Sequence, residues 1–314
     1  MFKSVMSLLV IFGALLAHAW GDLGHETIAE IAQEILKKDP KTQQAIVAII
    51  GVEDLKIAAT WPDNARDDHR FDPFAQFHFH TDVVPGHNVA KPGALNVMTE
   101  WPNILKDPQA SNQKKMIALR YLIHVIGDLH QPLHVGNGYD LGGNLCSVKW
   151  NYPSSLAKTL TLHKIWDTTI PSDSAMNLKK QSGARGWFGS KEYANALMAQ
   201  PEFQQILKEE TNLDSSVWVE ESRKLREEHV YPDPQVHPTQ RPYCRKSYKD
   251  KVSLEVLPVL DQSYFLSAEK VVNQRLILAG IRTARTLQKI LGDLPSEAES
   301  VDEILESFFL NLSK

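Results

Sequence analysis

The stretch KKMIALRYLIHVIGDLHQ, residues 114–131, reads as one long apolar helix, and Pro132 ends or kinks it. Inside it His124 and Asp128 stand four residues apart. That spacing puts them on one face, with Cβ atoms about 5–6 Å apart. Leu122, Ile123, Val125, Ile126 and Leu129 surround them. A buried carboxylate beside a buried imidazole is expensive unless the two are paired or bound to a cation.

The same i,i+4 pair recurs as His163 and Asp167 in TLHKIWDTT, residues 161–169. His134 follows the Pro132 break, FHFH (77–80) supplies His78, and WPDNAR (61–66) supplies Asp63. One such pair alone is an ordinary polar contact on a helix. Two pairs inside apolar helices, with a third histidine close by, point to a metal centre. Nitrogen and oxygen donors without clustered thiolates suit Zn²⁺. His69, His80, His87, His130, His229 and His237 read as solvated or locally hydrogen-bonded; His130 is six residues from His124 and points off its face.

Around this segment the chain is mainly helical, in one domain. Helices are expected over 25–37, 41–50 (stopped by Gly51), 156–169, 191–208, 214–229, 261–291 (with Gly280 inside) and, at the end, 301–311. Residues 62–113, 135–155 and the Pro-rich 231–250 read as loops.

The chain opens with MFKSVMSLLVIFGALLAHA: a Lys near its start, an apolar run, then Ala17-x-Ala19. This is the pattern of a secretory signal peptide over 1–19, which implies export to a periplasmic or extracellular space. The mature chain would start at Trp20, with His25 close behind, and residues 20–293 would form the domain, followed by an acidic amphipathic tail, 294–314. No later apolar stretch reaches the length of a membrane span. Without Lys3 the 34 bases become 33 against 38 acids, a net charge of −5, so any polyanion must be attracted by a local site. Export favours a Cys146–Cys244 disulfide; two free buried thiols are the alternative. The sequon Asn311-Leu312-Ser313 says nothing about glycosylation.

Together, these motifs resemble a family: the trinuclear-zinc single-strand nucleases and 3′-nucleotidases of fungi, plants and bacteria, which share a helical fold with zinc-dependent phospholipase C. The resemblance rests on W-G-x-x-G-H (20–25), W-P-D-x-x-R (61–66), H-F (78–79), H-x-x-G-D-x-H-Q-P-L-H-V (124–135), G-G-N (142–144) and L-H-x-x-W-D (162–167). W-x-x-E-S (218–222) and A-G-I-R around Gly280 are weaker echoes. The resemblance implies three Zn²⁺ per chain. One would be held by Asp63, His78, His124 and Asp128, a second by His134, His163 and Asp167. The third would be held by His25, the shared Asp128, and the α-amine and carbonyl of Trp20. It further implies hydrolysis of P–O3′ bonds in single-stranded DNA and RNA, leaving 5′-phosphates, and removal of phosphate from 3′-nucleotides. Asp63 and Arg66 would be catalytic; Phe79 and Asn144 would contact substrate. Thr81 departs from the pattern, standing where the family often has an Asp, with Asp82 one residue later.

Two rival readings are a zinc-dependent phospholipase C and a non-enzymatic zinc-binding protein. The former usually has a wider gap between Trp and the first His, and a Glu at the position of Asp167. The latter would lack a ligand or Arg66, and all are present.

Overall fold

The computed structural model describes residues 20–84, 93–153 and 156–292. The expected leader, His87, the tail, the helix expected over 301–311 and the sequon lie outside the described residues.

Three helices come first: α1 (Asp22–Leu36), α2 (Pro40–Ile50) and α3 (Leu55–Asn64). Asp39 and Asp54 start α2 and α3 by accepting the N–H groups of Thr42 and Lys56, caps of about 1 kcal/mol each. A run of 3-10 turns, His69–His78, leads to a two-residue strand β1 (His80–Thr81). Then come α4 (Ala94–Lys106) and α5 (Asn112–His130). β2 (Val135–Gly136) pairs parallel with β1, with His80 opposite Val135. A second sheet is built from β3 (Ser147–Trp150), antiparallel to β4 (Lys158–Thr161) and parallel to β5 (Val259–Leu260). Between β4 and β5 lie α6 (Leu162–Lys164), a wide π turn over Ile165–Thr169, α7 (Ile170–Ser182), α8 (Ser190–Met198), α9 (Pro201–Glu209) and α10 (Ser215–Leu225). The 30-residue α11 (Gln262–Leu291) closes the fold.

The expected mainly α-helical domain is what forms. α5 is enclosed by α3, α4, α10 and α11, and α1 lies against α11. The α1–α11 approach explains Gly280: a Cβ there would stand 2.6 Å from Ile31 side-chain carbons. Two arginines of α11 are buried with their partners. Arg282 donates to Glu221 and Glu210 and to Nε2 of His130, and Arg275 donates to the His130 carbonyl, Ser222 and Glu221. They lock the C-terminal end of α5 to α10 and α11.

Several boundaries differ from the sequence expectation. Residues 158–161 form a strand, and helix begins only at Leu162, where the Thr161 hydroxyl accepts the Lys164 N–H. Thr159 and Thr161 are β-branched and find a partner strand, which outweighs the helical pattern. The segment 191–208 breaks in two at Pro201. The supposed loop 62–113 holds the end of α3 and all of α4, which contain Pro62 and Pro102. Proline normally ends a helix, but buried Val97 and Leu105 hold α4 through tertiary packing. The expected loop 135–155 contains β2 and β3. Cys146 and Cys244 are joined, S–S 2.02 Å, which fastens loop 231–250 beside the Gly-Gly-Asn turn.

Candidate metal centre

His124 and Asp128 share the buried face of α5, both with no exposed surface. Asp63 comes from the last turn of α3 and His78 from the end of the 3-10 run. Around them Nδ1 of His78 is 2.8 Å from Nε2 of His124 and 3.5 Å from Asp63 Oδ1 and from Asp128 Oδ2. Nε2 of His124 is 3.2 Å from Asp128 Oδ2 and 3.9 Å from Asp63 Oδ1. Four donors about 2.0–2.1 Å from a tetrahedral Zn²⁺ lie about 3.3 Å from one another, the middle of this spread.

A second group joins His134, His163 and Asp167. Nε2 of His163 is 2.8 Å from Asp167 Oδ2, Nε2 of His134 is 3.8 Å from Oδ1, and the two rings stack at 5.1 Å. A third group uses His25, in α1, whose Nε2 is 3.3 Å from Asp128 Oδ1 and whose ring stacks on His124 at 4.0 Å. Asp128 therefore faces the first group with one oxygen and the third with the other. Trp20 is fully buried; its indole N–H donates to the Gly127 carbonyl at 2.8 Å, and the next N–H, of Gly21, donates to the Asp167 carbonyl at 2.9 Å. Residue 20 is thus tied to backbone at or next to two of the metal-facing aspartates.

The surroundings aim these donors. Nδ1–H of His124 donates to the Ala59 carbonyl at 2.6 Å, that of His134 to the His78 carbonyl at 2.6 Å, and that of His163 to the Gly142 carbonyl at 2.7 Å. A proton committed to Nδ1 leaves Nε2 as a lone-pair donor pointing into the cluster. Gly142 has φ 60, and a Cβ there would lie 2.4 Å from the Leu133 carbonyl. Among the described residues, the oxygens of Asp128 and Nε2 of His134 are buried and meet only the other donors of the clusters, with no well-aligned hydrogen bond. Buried polar atoms without partners are costly, and here they converge with imidazoles in the arrangement that a cation satisfies.

The protein's own charges tell the same story. Burial pushes the Asp128 carboxyl up to about 7. Burial opposes charge on His124 too, but Asp128 and Asp63 outweigh it and hold this imidazole up at about 9. Burial, aided by His163, holds His134 well below the ordinary histidine value, in its neutral, ligating form.

Beside the clusters opens a cleft of about 210 Å³ lined by Arg66, Phe79, Thr81, Leu141 and Asn144, with His78, His134 and His163 on its wall. Nη1 of Arg66 donates to Asp63 Oδ1 at 3.2 Å. Phe79 is 45% exposed, so its ring is available to a ligand. Asn144 donates to the Leu141 carbonyl at 3.0 Å and faces the same cleft. Asp82 does not line it. Arg223 at 2.8 Å and Arg226 at 3.0 Å hold that carboxylate elsewhere, leaving Thr81 as the side chain presented.

The remaining described histidines stay out of the clusters, as expected. His130 is buried, donating from Nδ1 to the Ile126 carbonyl and accepting from Arg282. His69 pairs with Asp72, and His237 contacts Thr239. His80, in β1, and His229, beside Glu228, are both half-buried. Sequence reading missed Gln131. Its side chain is wholly buried, donates to Asp167 Oδ1, and accepts the Leu133 N–H at 2.5 Å. Its place between the metal-bearing helix and Pro132 was the available signal.

Residues 20–292 match the family described as S1/P1 Nuclease. The chain is 30% identical to Nuclease S1 of Aspergillus oryzae over 173 residues, which is 52% of this chain and 58% of that protein. It is 27% identical to Endonuclease 4 of Arabidopsis thaliana over 311 residues, 93% of this chain and 94% of that one. Nuclease P1 of Penicillium citrinum is 29% identical over 164 residues, 48% of this chain and 58% of that protein.

Proposed function

The chain belongs to the S1/P1 nuclease family, and on that premise we propose that it is an exported zinc-dependent hydrolase of single-stranded DNA and RNA. It cleaves P–O3′ bonds to leave 5′-phosphates, and it removes phosphate from 3′-nucleotides. The observation that carries the reading is the convergence of buried His and Asp donors in three groups, with Nδ1 of His124, His134 and His163 each donating to a backbone carbonyl so that Nε2 faces the cluster.

Three Zn²⁺ fit the donors: Asp63, His78, His124 and Asp128; His134, His163 and Asp167; His25, Asp128 and the backbone amine and carbonyl of Trp20. A mature start at Trp20 supplies that amine, whose ordinary pKa of about 7.7–8.0 lets it ligate near neutral pH. Zinc in such a site supplies an acidified water and a Lewis acid for phosphoryl oxygens. Asp63, which accepts a hydrogen bond from Arg66 of the cleft wall, orients the attacking water and takes its proton. Arg66, fixed by Asp63, places a permanent charge where negative charge grows on the phosphoryl group. Phe79 stacks an unpaired base, a contact indifferent to base identity and closed to paired bases. Asn144 presents its carboxamide to the bound nucleotide.

Export through residues 1–19 agrees with the Cys146–Cys244 bond. Among the described residues no helix is long and apolar enough to cross a membrane.

The test is hydrolysis of single-stranded DNA, RNA, duplex DNA and 3′-AMP by the mature chain, with and without a zinc chelator. Chelator-sensitive cleavage of single strands and 3′-AMP is expected. Release of phosphocholine from phosphatidylcholine with no attack on nucleic acid would overturn the reading.

A further inference from the structure

The turn between α7 and α8 lies in KKQSGARGWFGSK, residues 179–191, with four bases and no acid. The rest of the chain carries 30 Lys and Arg against 38 acids, so this is a cationic island on an acidic protein. At its centre Trp187 is 86% exposed, whereas Trp20, Trp166 and Trp218 are fully buried. Set among four bases, this exposed ring offers a flat aromatic face beside positive charge.

The turn presents that ring in a defined way. Gly183 and Gly186 adopt φ 67 and φ 88, and nothing stands within 4 Å of a Cβ at either, so the turn projects into open space. Lys179 Nζ donates to the Gly186 carbonyl at 2.6 Å, and the Gly189 N–H donates to Glu192 at 2.9 Å, which pins both ends. The indole edge rests on Gly189, where a Cβ would stand 2.6 Å from Nε1.

We propose that this turn is a second binding platform for single-stranded nucleic acid, separate from the catalytic cleft; the proposal rests on the nuclease reading above. Trp187 stacks an unpaired base, and Lys180, Arg185 and Lys191 neutralise the phosphates on either side of it. Helical backbone runs continuously from Asp167 to Ser182, which at 1.5 Å per residue separates platform and metal centre by about 20 Å. A mononucleotide cannot touch both. A strand can, and holding it at the platform raises its effective concentration at the cleft without altering the chemistry there. The chemistry favours nucleic acid over an anionic membrane, because the exposed indole offers a stacking face while its apolar neighbour Phe188 packs against the core rather than beside it in water.

The test compares the mature zinc-loaded wild type with Trp187→Ala, Trp187→Phe and the double variant Lys180→Glu/Arg185→Glu. Binding is read by fluorescence anisotropy on a labelled phosphorothioate oligothymidylate long enough to span both sites, across a range of salt. Trp187→Ala should weaken binding at least about fivefold, and Trp187→Phe should retain most of it. The charge variant should lower the slope of log affinity against log salt by about 0.7 for each phosphate that is no longer neutralised. KM and kcat for 3′-AMP should stay at wild-type values in all three. Unchanged affinity and slope in both Trp187→Ala and the charge variant would overturn the proposal. So would binding to phosphatidylserine vesicles that Trp187→Ala abolishes, with no effect on the oligonucleotide. Because phosphorothioate binding needs no turnover, a wild type that hydrolyses nothing would sink the proposed function while the platform result stood on its own.

Discussion

Replacing Gln131 with leucine removes a buried bridge between the Leu133 N–H and Asp167 Oδ1. Both groups then lie where water does not reach, since Gln131 is wholly buried and Asp167 nearly so. Leaving each without its partner costs about 1–3 kcal/mol, or about 2–6 kcal/mol of folding stability together. The metal-facing consequence is separate. Gln131 holds Oδ1 so that Oδ2 faces Nε2 of His163 at 2.8 Å. Loss of such an orienting partner typically weakens metal affinity 10–100-fold, about 1.4–2.7 kcal/mol. Gln131→Glu keeps the acceptor for Leu133 but sets a carboxylate against Asp167, so it should fold better than Gln131→Leu and still lose metal readily. The assay is chelator competition followed by zinc content, with thermal unfolding of the chelated proteins run in parallel. Wild-type zinc retention in both variants would show that Gln131 does not position Asp167.

Extending the mature chain by one residue ahead of Trp20 should remove one zinc by elemental analysis and lower turnover about 10²–10³-fold, the usual cost of losing a fixed electrostatic stabiliser; Trp20→Phe should keep all the metal. Phe79→Ala should raise KM for 3′-nucleotides, reflecting about 1–3 kcal/mol of stacking, with zinc content unchanged. Asp173, against the Trp150 indole N–H at 3.2 Å, has its carboxyl pushed up to about 6, chiefly by burial. Its stabilising contribution is complete below about pH 4 and is lost as pH rises through about 6, because the unfolded chain ionises first. The Tm of Asp173→Asn relative to wild type should therefore increase between pH 4 and pH 7; a constant difference would refute the assignment.

Much of the metal centre was legible because helical periodicity is local. His124 with Asp128, and His163 with Asp167, are fixed as pairs by one turn of helix wherever that helix sits, and apolar neighbours announce their burial. Groups supplied by the backbone were not legible. The carbonyls of Ala59, His78 and Gly142 carry no side-chain signature, although each takes the Nδ1 proton of an imidazole and so sets its tautomer. Asp82 shows the same limit for side chains. Its closeness to Phe79 in sequence suggests the cleft, while its orientation is decided by Arg223 and Arg226, more than 140 residues away. In the fold, α3 and α4 were hidden by their prolines, and β4 by a helical pattern that only the partner strand β3 could overrule.

Asp128 belongs to two groups at once, turning Oδ1 to His25 and Oδ2 to His78 and His124. Its one negative charge is thus divided between neighbouring sites. Filling either site fixes the carboxylate's rotation, which favours the other, and draws on the same charge, which disfavours it. Whichever effect is larger, the influence must be equal in both directions, as linkage between two binding equilibria requires. Loading and stripping of this centre should accordingly proceed as coupled steps. On the proposed three-zinc reading, a chelator that takes an ion beside His25 would also change the hold of Asp63, His78 and His124 on theirs.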